Sequence, residues 1–581
     1  GVTVLIHDGQ CANERRRQQK RGKLPPPTKF TIVNEDVCEN CGHCAEVANC
    51  MSLQKVETEF GAKTAIHQSS CNQDQSCLGG ECPSFVTVTT APGKGVRKPP
   101  LPRIEEDLPE PNLPALDRPY HIYIPGVGGT GVITINAILA QAASLDGSHV
   151  LSFDQTGAAQ KWGPVLSSLI VARSGEQTAA NNVGLGRADL YLALDLLGAA
   201  DGKNLMRCRV DRTAAVINSS VLPNAEMIRN VYLKVSADPI VETILGVCDR
   251  SRSFVFDARR FAEHLFGDYM MTNMIAVGAA YQAGLLPISA ASIEAAIRLN
   301  KVQVDGNLAA FRAGRLLVHD RSRIEAMARR PYLTFADRTA EFARKPSPAR
   351  AKARDELLAR VGEVDAESAR LLRIRIEDLL DYQGRSYAKR YADIVAKAAA
   401  TERSVAGTTG AVTQAVARNL HKLMAYKDEY EVARLLTQAT FRERALAAFD
   451  EGAKLYFNLQ PPLMRAFGLK KKVAFGAAWF TPVLKVLAAA RFVRGTPLDI
   501  FGYAATRRQE RQLIEWYGDL VLRALAKMHA GNIEVVREIA ELPDLIRGYE
   551  EIKLRSLPKV RERADELMQT LATGQAARKA A

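Results

Sequence analysis

The chain has 581 residues, with 78 Lys and Arg against 64 Asp and Glu, which gives a formal net charge of +14. That length exceeds what one hydrophobic core supports, so several domains are expected. Hydrophobic residues at 47% and charged residues at 24% exclude a disordered or collagen-like chain. The basic balance could attract nucleic acid, anionic lipid or an acidic protein, and charge alone does not choose among them.

Residues 1–29 predict a strand over 2–6, then a basic run and three consecutive prolines that are typical of a stiff linker. The apolar run at the start is short and lacks a preceding basic segment, so no secretion signal is predicted. We expect this segment to be the end of a domain whose earlier part lies outside the sequence.

Residues 30–90 hold the most informative compositional feature, because seven of the ten cysteines lie between Cys38 and Cys82. The first half reads Cys38-x2-Cys41-x2-Cys44-x5-Cys50. Three cysteines at that spacing can each reach a different iron of a cubane cluster. Zinc sites usually use two separated Cys-x2-Cys pairs, so the triple favours iron–sulfur over zinc. A disulfide framework is not expected in a long chain without a secretion signal.

The second half of this segment reads Cys71-x2-Asp74-x2-Cys77-x4-Cys82-Pro83, close to the bacterial two-cluster spacing. In such folds the fourth cysteine of each motif serves the other cluster. The predicted ligands are Cys38, Cys41, Cys44 and Cys82 for the first cluster and Cys50, Cys71 and Cys77 for the second. Asp74 stands where the eighth cysteine would be. It could ligate the fourth iron of a [4Fe-4S] cluster, leave that corner open as [3Fe-4S], or be a solvated loop residue.

Two stretches, 55–60 and 62–67, flank Gly61 and predict the hairpin that a ferredoxin-like repeat needs between its halves. We expect His43 and His67 to be structural residues. Thiolate-bound clusters transfer one electron at a time, and two close together form an electron path. Their assembly requires a reducing compartment, so a cytoplasmic location is expected.

Residues 91–119 form a second predicted linker, since eight of the 26 prolines lie between Pro92 and Pro119. Residues 120–322 then alternate apolar strands with amphipathic helices, which predicts an α/β domain with a mainly parallel sheet. The predicted strands are 120–124, 149–153, 166–172, 190–194 and 214–217.

A glycine-rich turn joins the first of these strands to a helix over 132–145. Its glycines are Gly126, Gly128, Gly129 and Gly131. Backbone amides in such a turn can approach a phosphate, and Asp154 stands about where a ribose-binding acid would be. The loop therefore predicts a nicotinamide or flavin nucleotide, or else a tight turn that packs the helix closely without a ligand.

Residues 323–581 show helical spacing, for example over 366–382, 411–438 and 507–528, and predict an all-α domain. Helices of this amphipathic kind imply docking onto other domains or a second subunit, so a homo-oligomer is expected. The apolar stretch 473–493 contains Pro482 and Lys485, so we predict a helical hairpin there and no membrane span.

Three sets of residues together resemble a known family. Cys38-Glu-Asn-Cys41-Gly-His-Cys44, Thr58-Glu-Phe-Gly61, Gln68-Ser-Ser-Cys71-Asn, Cys77-Leu-Gly-Gly and Cys82-Pro-Ser-Phe85 resemble the ferredoxin module of indolepyruvate ferredoxin oxidoreductase. Pro125-Gly-Val-Gly-Gly-Thr-Gly131 and Gln160-Lys-Trp-Gly-Pro164 resemble the gamma domain of the 2-oxoacid oxidoreductases. The helical region is similar to the C-terminal extension of the long fused form.

The resemblance implies oxidative decarboxylation of an aryl 2-oxoacid on thiamine diphosphate and Mg²⁺, acyl transfer to coenzyme A, and electron passage through iron–sulfur clusters to ferredoxin. The sequence shows no Gly-Asp-Gly with a downstream Asn to hold the diphosphate. We therefore assign no catalytic residue and expect the chain to need a separate thiamine diphosphate-binding portion or subunit.

Two other functions remain open at this stage. An iron–sulfur oxidoreductase could exchange electrons with NAD or flavin at the Gly126–Gly131 loop. A nucleic-acid module could use basic helical residues such as Lys470, Lys471, Lys472, Arg507 and Arg508. Charge runs on helices are usually solvated faces, so no nucleic-acid partner is expected.

Overall fold

A computed structural model describes the chain except for residues 1, 6, 7, 9, 105–107, 158–162, 176, 177, 179, 234, 329–347, 461–470 and 574–581. The chain divides into two compact units. The first unit comprises residues 1–24, 67–72 and 96–332, and the second comprises 25–66, 73–95 and 333–581.

The described residues form strands in both units. In chain order these are β1 Lys29–Val33, β2 Leu53–Thr58, β3 Gly61–Ile66, β4 Phe85–Thr89, β5 Tyr120–Val127, β6 His149–Thr156, β7 Pro164–Ala172, β8 Leu190–Ala193, β9 Ala214–Asn218, β10 Phe254–Phe256, β11 Lys454–Leu459 and β12 Val473–Gly476.

Helices make up most of the remaining ordered elements. The α-helices of the first unit are Ala12–Lys20, Val132–Leu145, Leu196–Ala199, Gly202–Leu205, Ala225–Arg229, Ala237–Leu245, Ala258–Phe266, Thr272–Gln282, Ala290–Asn300, Val304–His319 and Arg321–Met327. Those of the second unit are His43–Ala48, Pro348–Val361, Ala366–Gln383, Arg385–Ala406, Ala411–Met424, Glu429–Leu436, Ala439–Ala447, Ala477–Ala489, Ala505–Leu525, Ile533–Glu541 and Glu550–Thr573. Short 3-10 turns occupy Ser76–Gly79, Arg250–Arg252, Tyr269–Met271, Ala490–Val493 and Leu542–Leu545.

The first unit is built on a six-stranded sheet of order β10-β9-β8-β5-β7-β6. Strands β10, β9, β8 and β5 pair in parallel, whereas β7 is antiparallel to both of its neighbours. The expectation of a mainly parallel sheet is confirmed. Successive residues of a strand point to opposite faces, and here both faces are covered. Ile122 and Ile124 pack into one buried cluster, and Tyr123 and Tyr191 into another.

Two helices of the first unit, Thr272–Gln282 and Val304–His319, cross at a contact that only glycine allows. A Cβ added at Gly278 would lie 2.0 Å from the carbonyl oxygen of Phe311, and one at Gly314 would lie 2.0 Å from that of Ile275. The backbones therefore touch, and the helix Thr272–Gln282 is buried along most of its length.

The second unit contains a four-stranded antiparallel sheet of order β1-β4-β11-β12 and a separate β2–β3 hairpin. The hairpin predicted around Gly61 is therefore present. Strand β4 pairs with β1 on one side and with β11 on the other, through Tyr456↔Thr87 and Phe457↔Val86. Strands far apart in the sequence thus share one sheet.

Helices between Pro348 and Thr573 pack around a core in the second unit. Tyr382, Tyr391 and Tyr517 are fully buried in it and donate their hydroxyls to backbone carbonyls. A buried tyrosine hydroxyl needs such a partner, because an unpaired polar group in a core is destabilising.

Three sequence expectations are corrected. The C-terminal region is mainly helical, but it is not all-α because it contributes β11 and β12. Its stretch 473–493 is β12, the helix Ala477–Ala489 and a 3-10 turn, not a helical hairpin. Residues 2–5 form no strand, and a helix, Ala12–Lys20, occupies the expected linker. Over the described part of the chain, no helix is both long and apolar enough to cross a membrane.

Candidate metal centre

The first three cysteines lie on a loop that turns sharply after β1. Asn34 follows the strand, and its side-chain oxygen accepts hydrogen bonds from the amides of Asp36 (3.1 Å) and Val37 (3.4 Å). Gly42, at φ 83°, precedes the short helix His43–Ala48, which carries Cys44. A positive φ is the conformation that glycine adopts without strain. The Cys-x2-Cys-x2-Cys spacing is therefore folded into a tight loop that ends in one helical turn.

Cys82 reaches the same place because of the strand register. Strand β4 begins at Phe85, which pairs with Val33, the last residue of β1. The residues just before Phe85 therefore lie beside those just after Val33. Asn34 confirms this by donating its amide to the carbonyl of Ser84 at 2.7 Å.

The four thiols predicted for the first cluster line one cavity of the second unit. Its empty volume is about 420 Å³, which includes the open mouth. The cysteines that line it are Cys38, Cys41, Cys44 and Cys82. The rest of the wall includes Val33, Glu39, Phe85, Tyr549 and Ile552.

Hydrogen bonds converge on the sulfur atoms at this cavity. The amides of Asn40 and Thr64 both donate to Sγ of Cys38 at 3.3 Å, and Oγ of Ser84 lies 2.9 Å from Sγ of Cys82. Donors aimed at sulfur stabilise a thiolate more than a neutral thiol, and such bonds influence the reduction potential of a cluster.

Burial opposes ionisation of Cys41, Cys44 and Cys82 in the absence of a cation. It raises the pKa of Cys41 to about 12, and it raises the pKa of Cys44 and of Cys82. The mutual repulsion of neighbouring thiolates acts in the same direction. A buried group of closely spaced thiolates needs compensating positive charge, which bound iron would supply.

The donor set consists of thiols, which are the ligands that iron–sulfur clusters use. Among the described residues, no three His, Cys, Asp or Glu side chains converge closely enough to hold one metal ion. In a cubane each thiolate binds its own iron, so the sulfur atoms stay apart around a shared volume. Four thiols around one cavity fit that requirement.

The residues predicted for the second cluster are divided between the units. Cys50, Asp74 and Cys77 belong to the second unit, and Cys71 belongs to the first. Cys77 is buried in the turn Ser76–Gly79, whereas Asp74 is exposed. Oδ1 of Asp74 accepts from the amide (3.1 Å) and the hydroxyl (2.9 Å) of Ser76. Ligation by these four residues stays a prediction.

The two histidines near the cysteines have other partners. Nδ1 of His43 accepts from the amide of Glu81 at 3.3 Å. In the first unit, the ring nitrogens of His67 lie 2.8 Å from Ser70 and from Glu263. Both rings thus have hydrogen-bond partners within the protein, and their structural role stays a prediction.

In the glycine loop of the first unit, contacts within the protein already engage some of the groups that could face a nucleotide. Gly126 lies inside β5 opposite Val165, and a Cβ there would lie 2.5 Å from Val132. The amide of Gly128 donates to the carbonyl of Gly163 at 2.7 Å. Gly129 and Gly131 have φ of 83° and 96°, and Gly131 immediately precedes the helix Val132–Leu145. The turn serves close packing, and nucleotide binding by these glycines stays a prediction.

Asp154 is separated from that turn by an inserted strand. It lies on β6, and β7 intervenes between β6 and β5. Its carboxylate accepts from Asn136 at 2.9 Å and from the hydroxyl of Ser167. Gln160, Lys161 and Trp162, which contributed to the family resemblance, lie outside the described residues.

Residues far away in the sequence also surround the cysteine loop. Lys63 and Lys427 donate to the carbonyl of Cys38 at 2.8 and 3.3 Å, and Lys472 donates to that of Cys82 at 2.7 Å. The hydroxyl of Tyr549 donates to the carbonyl of Val37 at 2.6 Å. No spacing rule links these residues to the cysteines, so the sequence alone gave no signal for them.

Two family models match separate regions of the chain. Residues 121–317 match the family described as pyruvate ferredoxin/flavodoxin oxidoreductase. Residues 368–566 match a family of unknown function, DUF6537. The second match covers most of the helical region, including Lys427, Lys472 and Tyr549.

Two proteins of similar sequence agree with the first match. The indolepyruvate oxidoreductase subunit IorB of Methanothermobacter thermautotrophicus is 30% identical over 197 residues, which cover 34% of this chain and 95% of that protein. The subunit of the same name from Pyrococcus horikoshii is 28% identical over 200 residues, covering 34% and 94%. A keto/oxoacid ferredoxin oxidoreductase gamma subunit from Geobacter sulfurreducens aligns with a TM-score of 0.25 and 22% identity, over 34% of this chain and 98% of that one.

The relatives named IorB are covered almost completely, and the match to an oxidoreductase family falls on the α/β sheet of the first unit. The chain therefore belongs, through this portion, to the 2-oxoacid:ferredoxin oxidoreductase family.

Proposed function

We propose that the chain is the electron-transfer and gamma-domain portion of a thiamine diphosphate-dependent 2-oxoacid:ferredoxin oxidoreductase that acts on aryl pyruvates of the indolepyruvate type. The observation that carries the electron-transfer role is the cavity shared by Cys38, Cys41, Cys44 and Cys82. Relatives named for indolepyruvate support the substrate class.

In this proposal the ligands follow the two sets predicted from the spacing. Cys38, Cys41, Cys44 and Cys82 would hold a [4Fe-4S] cluster. Cys50, Cys71 and Cys77 would hold a second one, with Asp74 as its fourth ligand or with an open [3Fe-4S] corner. Such clusters supply one-electron acceptors between the site of oxidation and an external carrier.

The protein's own residues prepare the first site in two ways. Val33, Phe85 and Ile552 line its wall with apolar side chains, which limit the access of water. The amides of Asn40 and Thr64 hold Cys38 and offset negative charge on its sulfur. Exclusion of water and directed donors both influence the potential at which a site accepts an electron.

The proposed segments are the end of a thiamine diphosphate domain with a linker (1–29), a ferredoxin-like module (30–90), a linker (91–119), a gamma-type domain (120–322) and a helical region (323–581). Thiamine diphosphate and Mg²⁺ would be held by another portion or subunit. Coenzyme A would accept the acyl group and ferredoxin the electrons. We further propose a cytoplasmic homo-oligomer without nucleic-acid or membrane partners.

Chemical analysis of anaerobically purified protein tests the proposal. Two clusters require roughly seven or eight iron atoms per chain and a similar amount of acid-labile sulfide. Reduction should then give an electron paramagnetic resonance (EPR) signal at low temperature. Protein that holds zinc, or that shows no reducible cluster after reconstitution with iron and sulfide, would contradict the electron-transfer role. Cys11→Ser is the matched control, because Cys11 is an exposed cysteine outside both predicted ligand sets.

A further inference from the structure

Lys472 is placed against the cysteine cavity by strand pairing in the second unit. It immediately precedes β12, whose first residue, Val473, pairs with Leu459 at the end of β11. Strand β11 in turn pairs with β4, which follows Cys82. The ladder β4-β11-β12 therefore holds Lys472 beside the last cysteine of the module.

The ammonium group of Lys472 is directed at the backbone that carries Cys82. It donates to the carbonyl of Cys82 at 2.7 Å and to that of Gly80, and it lies 5.5 Å from the centre of the Phe85 ring. Gly80, Cys82 and Phe85 all line the cavity. The positive charge is thus fixed just behind the cavity wall.

Two other lysines, Lys63 and Lys427, donate to the carbonyl of Cys38. Lys427 differs from Lys472 because it also pairs with a carboxylate. Nζ of Lys427 lies 2.7 Å from a carboxylate oxygen of Glu39, which offsets its charge. Among the described residues, no carboxylate lies within ion-pair distance of Lys472. At longer range, Lys472 interacts electrostatically with Glu81 and with the cysteines of the site, Cys82 first among them.

A fixed, partly buried charge affects a nearby redox centre because reduction adds a negative charge to that centre. Because the protein interior screens charge less than bulk water does, a charge held close to such a centre shifts its redox equilibrium measurably. If Lys472 only stabilised the local structure, its hydrogen bonds to the two carbonyls would matter and its charge would not.

We infer that Lys472, in the region that matches a family of unknown function, is a positioning residue whose ammonium charge raises the reduction potential of the cluster held by Cys38, Cys41, Cys44 and Cys82. The inference rests on the proposed function, since it requires that cluster. The helical region would then contribute to electron transfer, because it supplies part of the cavity wall and a positive charge beside the cysteine site.

An EPR-monitored redox titration of the whole protein tests the inference. The cluster in question is the signal that Cys38→Ala abolishes. The variants are Lys472→Met, which removes the charge and the donor, Lys472→Gln, which keeps a donor without charge, and Lys472→Arg, which keeps both. Lys471→Met is the matched control, because the adjacent Lys471 is exposed.

At the wild-type midpoint potential, the ratio of oxidised to reduced cluster should rise about threefold to tenfold in Lys472→Met and Lys472→Gln, where tenfold equals about 59 mV for one electron. Lys472→Arg and Lys471→Met should stay near the wild-type ratio. Iron per chain and thermal unfolding are measured on every variant.

Equal potentials in all variants would overturn the inference while leaving the proposed function intact. A shift in Lys471→Met as large as that in Lys472→Met would also overturn it, because any nearby charge would then have the same effect. Loss of iron in both neutral variants would mark Lys472 as a structural residue and overturn the tuning role. Absence of a reducible cluster in the wild-type protein would instead overturn the proposed function.

Discussion

The guanidinium of Arg375 lies 3.2 Å from the carboxylate of Glu59, and both side chains are almost completely buried, with 3% and 1% of their surfaces exposed. Glu59 stands at the tip of the β2–β3 hairpin, and Arg375 on the helix Ala366–Gln383. Next to them, the ring of Phe60 stacks on His421 at 5.2 Å. The hairpin tip is thereby fixed to the helices of the second unit.

Replacing Glu59 by Gln should destabilise the second unit strongly. Removing one partner of a buried ion pair leaves an uncompensated charge and costs about 3–5 kcal/mol. Urea denaturation measures the effect. Glu515→Gln is the control, because Glu515 forms an exposed pair with Arg390 and such pairs contribute about 0–1 kcal/mol. If the two variants lose the same free energy of unfolding, the buried Glu59 pair stabilises the protein no more than the exposed Glu515 pair does.

The ionisation of Glu263 should make the stability of the first unit depend on pH. Burial opposes its ionisation, but the hydrogen bond with His67 (2.8 Å) and the charge of Arg259 outweigh burial and lower the pKa of Glu263 to about 2. A depressed carboxyl pKa contributes stability in full above the unfolded value, about 4.5, and the contribution is lost as the pH falls from there through about 2.

Glu263→Gln should therefore cost on the order of 3 kcal/mol at pH 7, and the difference from wild type should shrink when both are compared at pH 3.5. Urea midpoints at the two pH values measure it. Asp117→Asn serves as the control, since Asp117 pairs with Arg173 at the surface. If Glu263→Gln lowers the free energy of unfolding by the same amount at both pH values, the low pKa assigned to Glu263 is wrong.

The helix crossing at Gly278 should not tolerate a methyl group. Gly278→Ala would place a Cβ 2.0 Å from the Phe311 carbonyl oxygen and force the helices apart, and overpacking of this kind costs at least about 1–3 kcal/mol. The thermal midpoint, Tm, should fall by several degrees. Gly202→Ala, where a Cβ meets nothing within 4 Å, should leave it nearly unchanged. A Tm that falls equally in both would argue against the close crossing.

Equilibrium binding measurements test whether the glycine loop binds a nucleotide. Because the amide of Gly128 is already bonded to Gly163 and β7 separates Asp154 from the turn, we expect NADH and flavin nucleotides to bind no more tightly than millimolar. Calorimetry or fluorescence titration of the whole protein measures this. Saturable binding at micromolar concentration that Gly131→Ala weakens would favour the nucleotide-dependent alternative.

Local sequence patterns predicted the parts of the fold that depend on neighbouring residues. The helix Val132–Leu145 and the turn before it follow from a strand, four glycines and an apolar helical period. The spacing of Cys38, Cys41 and Cys44 defines their loop, and the structure places Cys82 at the same cavity, as the two-cluster pattern predicted. Whether these thiols bind iron stays a prediction.

Features that depend on long-range pairing were not predictable from those patterns. Strand β7 has the apolar composition of its neighbours, so its antiparallel insertion between β5 and β6 leaves no local signal. The pairing of β11 with β4 joins residues more than 300 positions apart. Lys472 reaches Cys82 only through that pairing, and its position in a basic run suggested a solvated surface.

The most direct test of the whole account is the iron content of Cys38→Ala and Cys82→Ala compared with Cys11→Ser. If Cys38 and Cys82 serve one cluster, each alanine variant should lose about four iron atoms per chain and the same EPR signal, while Cys11→Ser keeps both. Wild-type iron content with an unchanged spectrum in either alanine variant would contradict a cluster shared across the cavity.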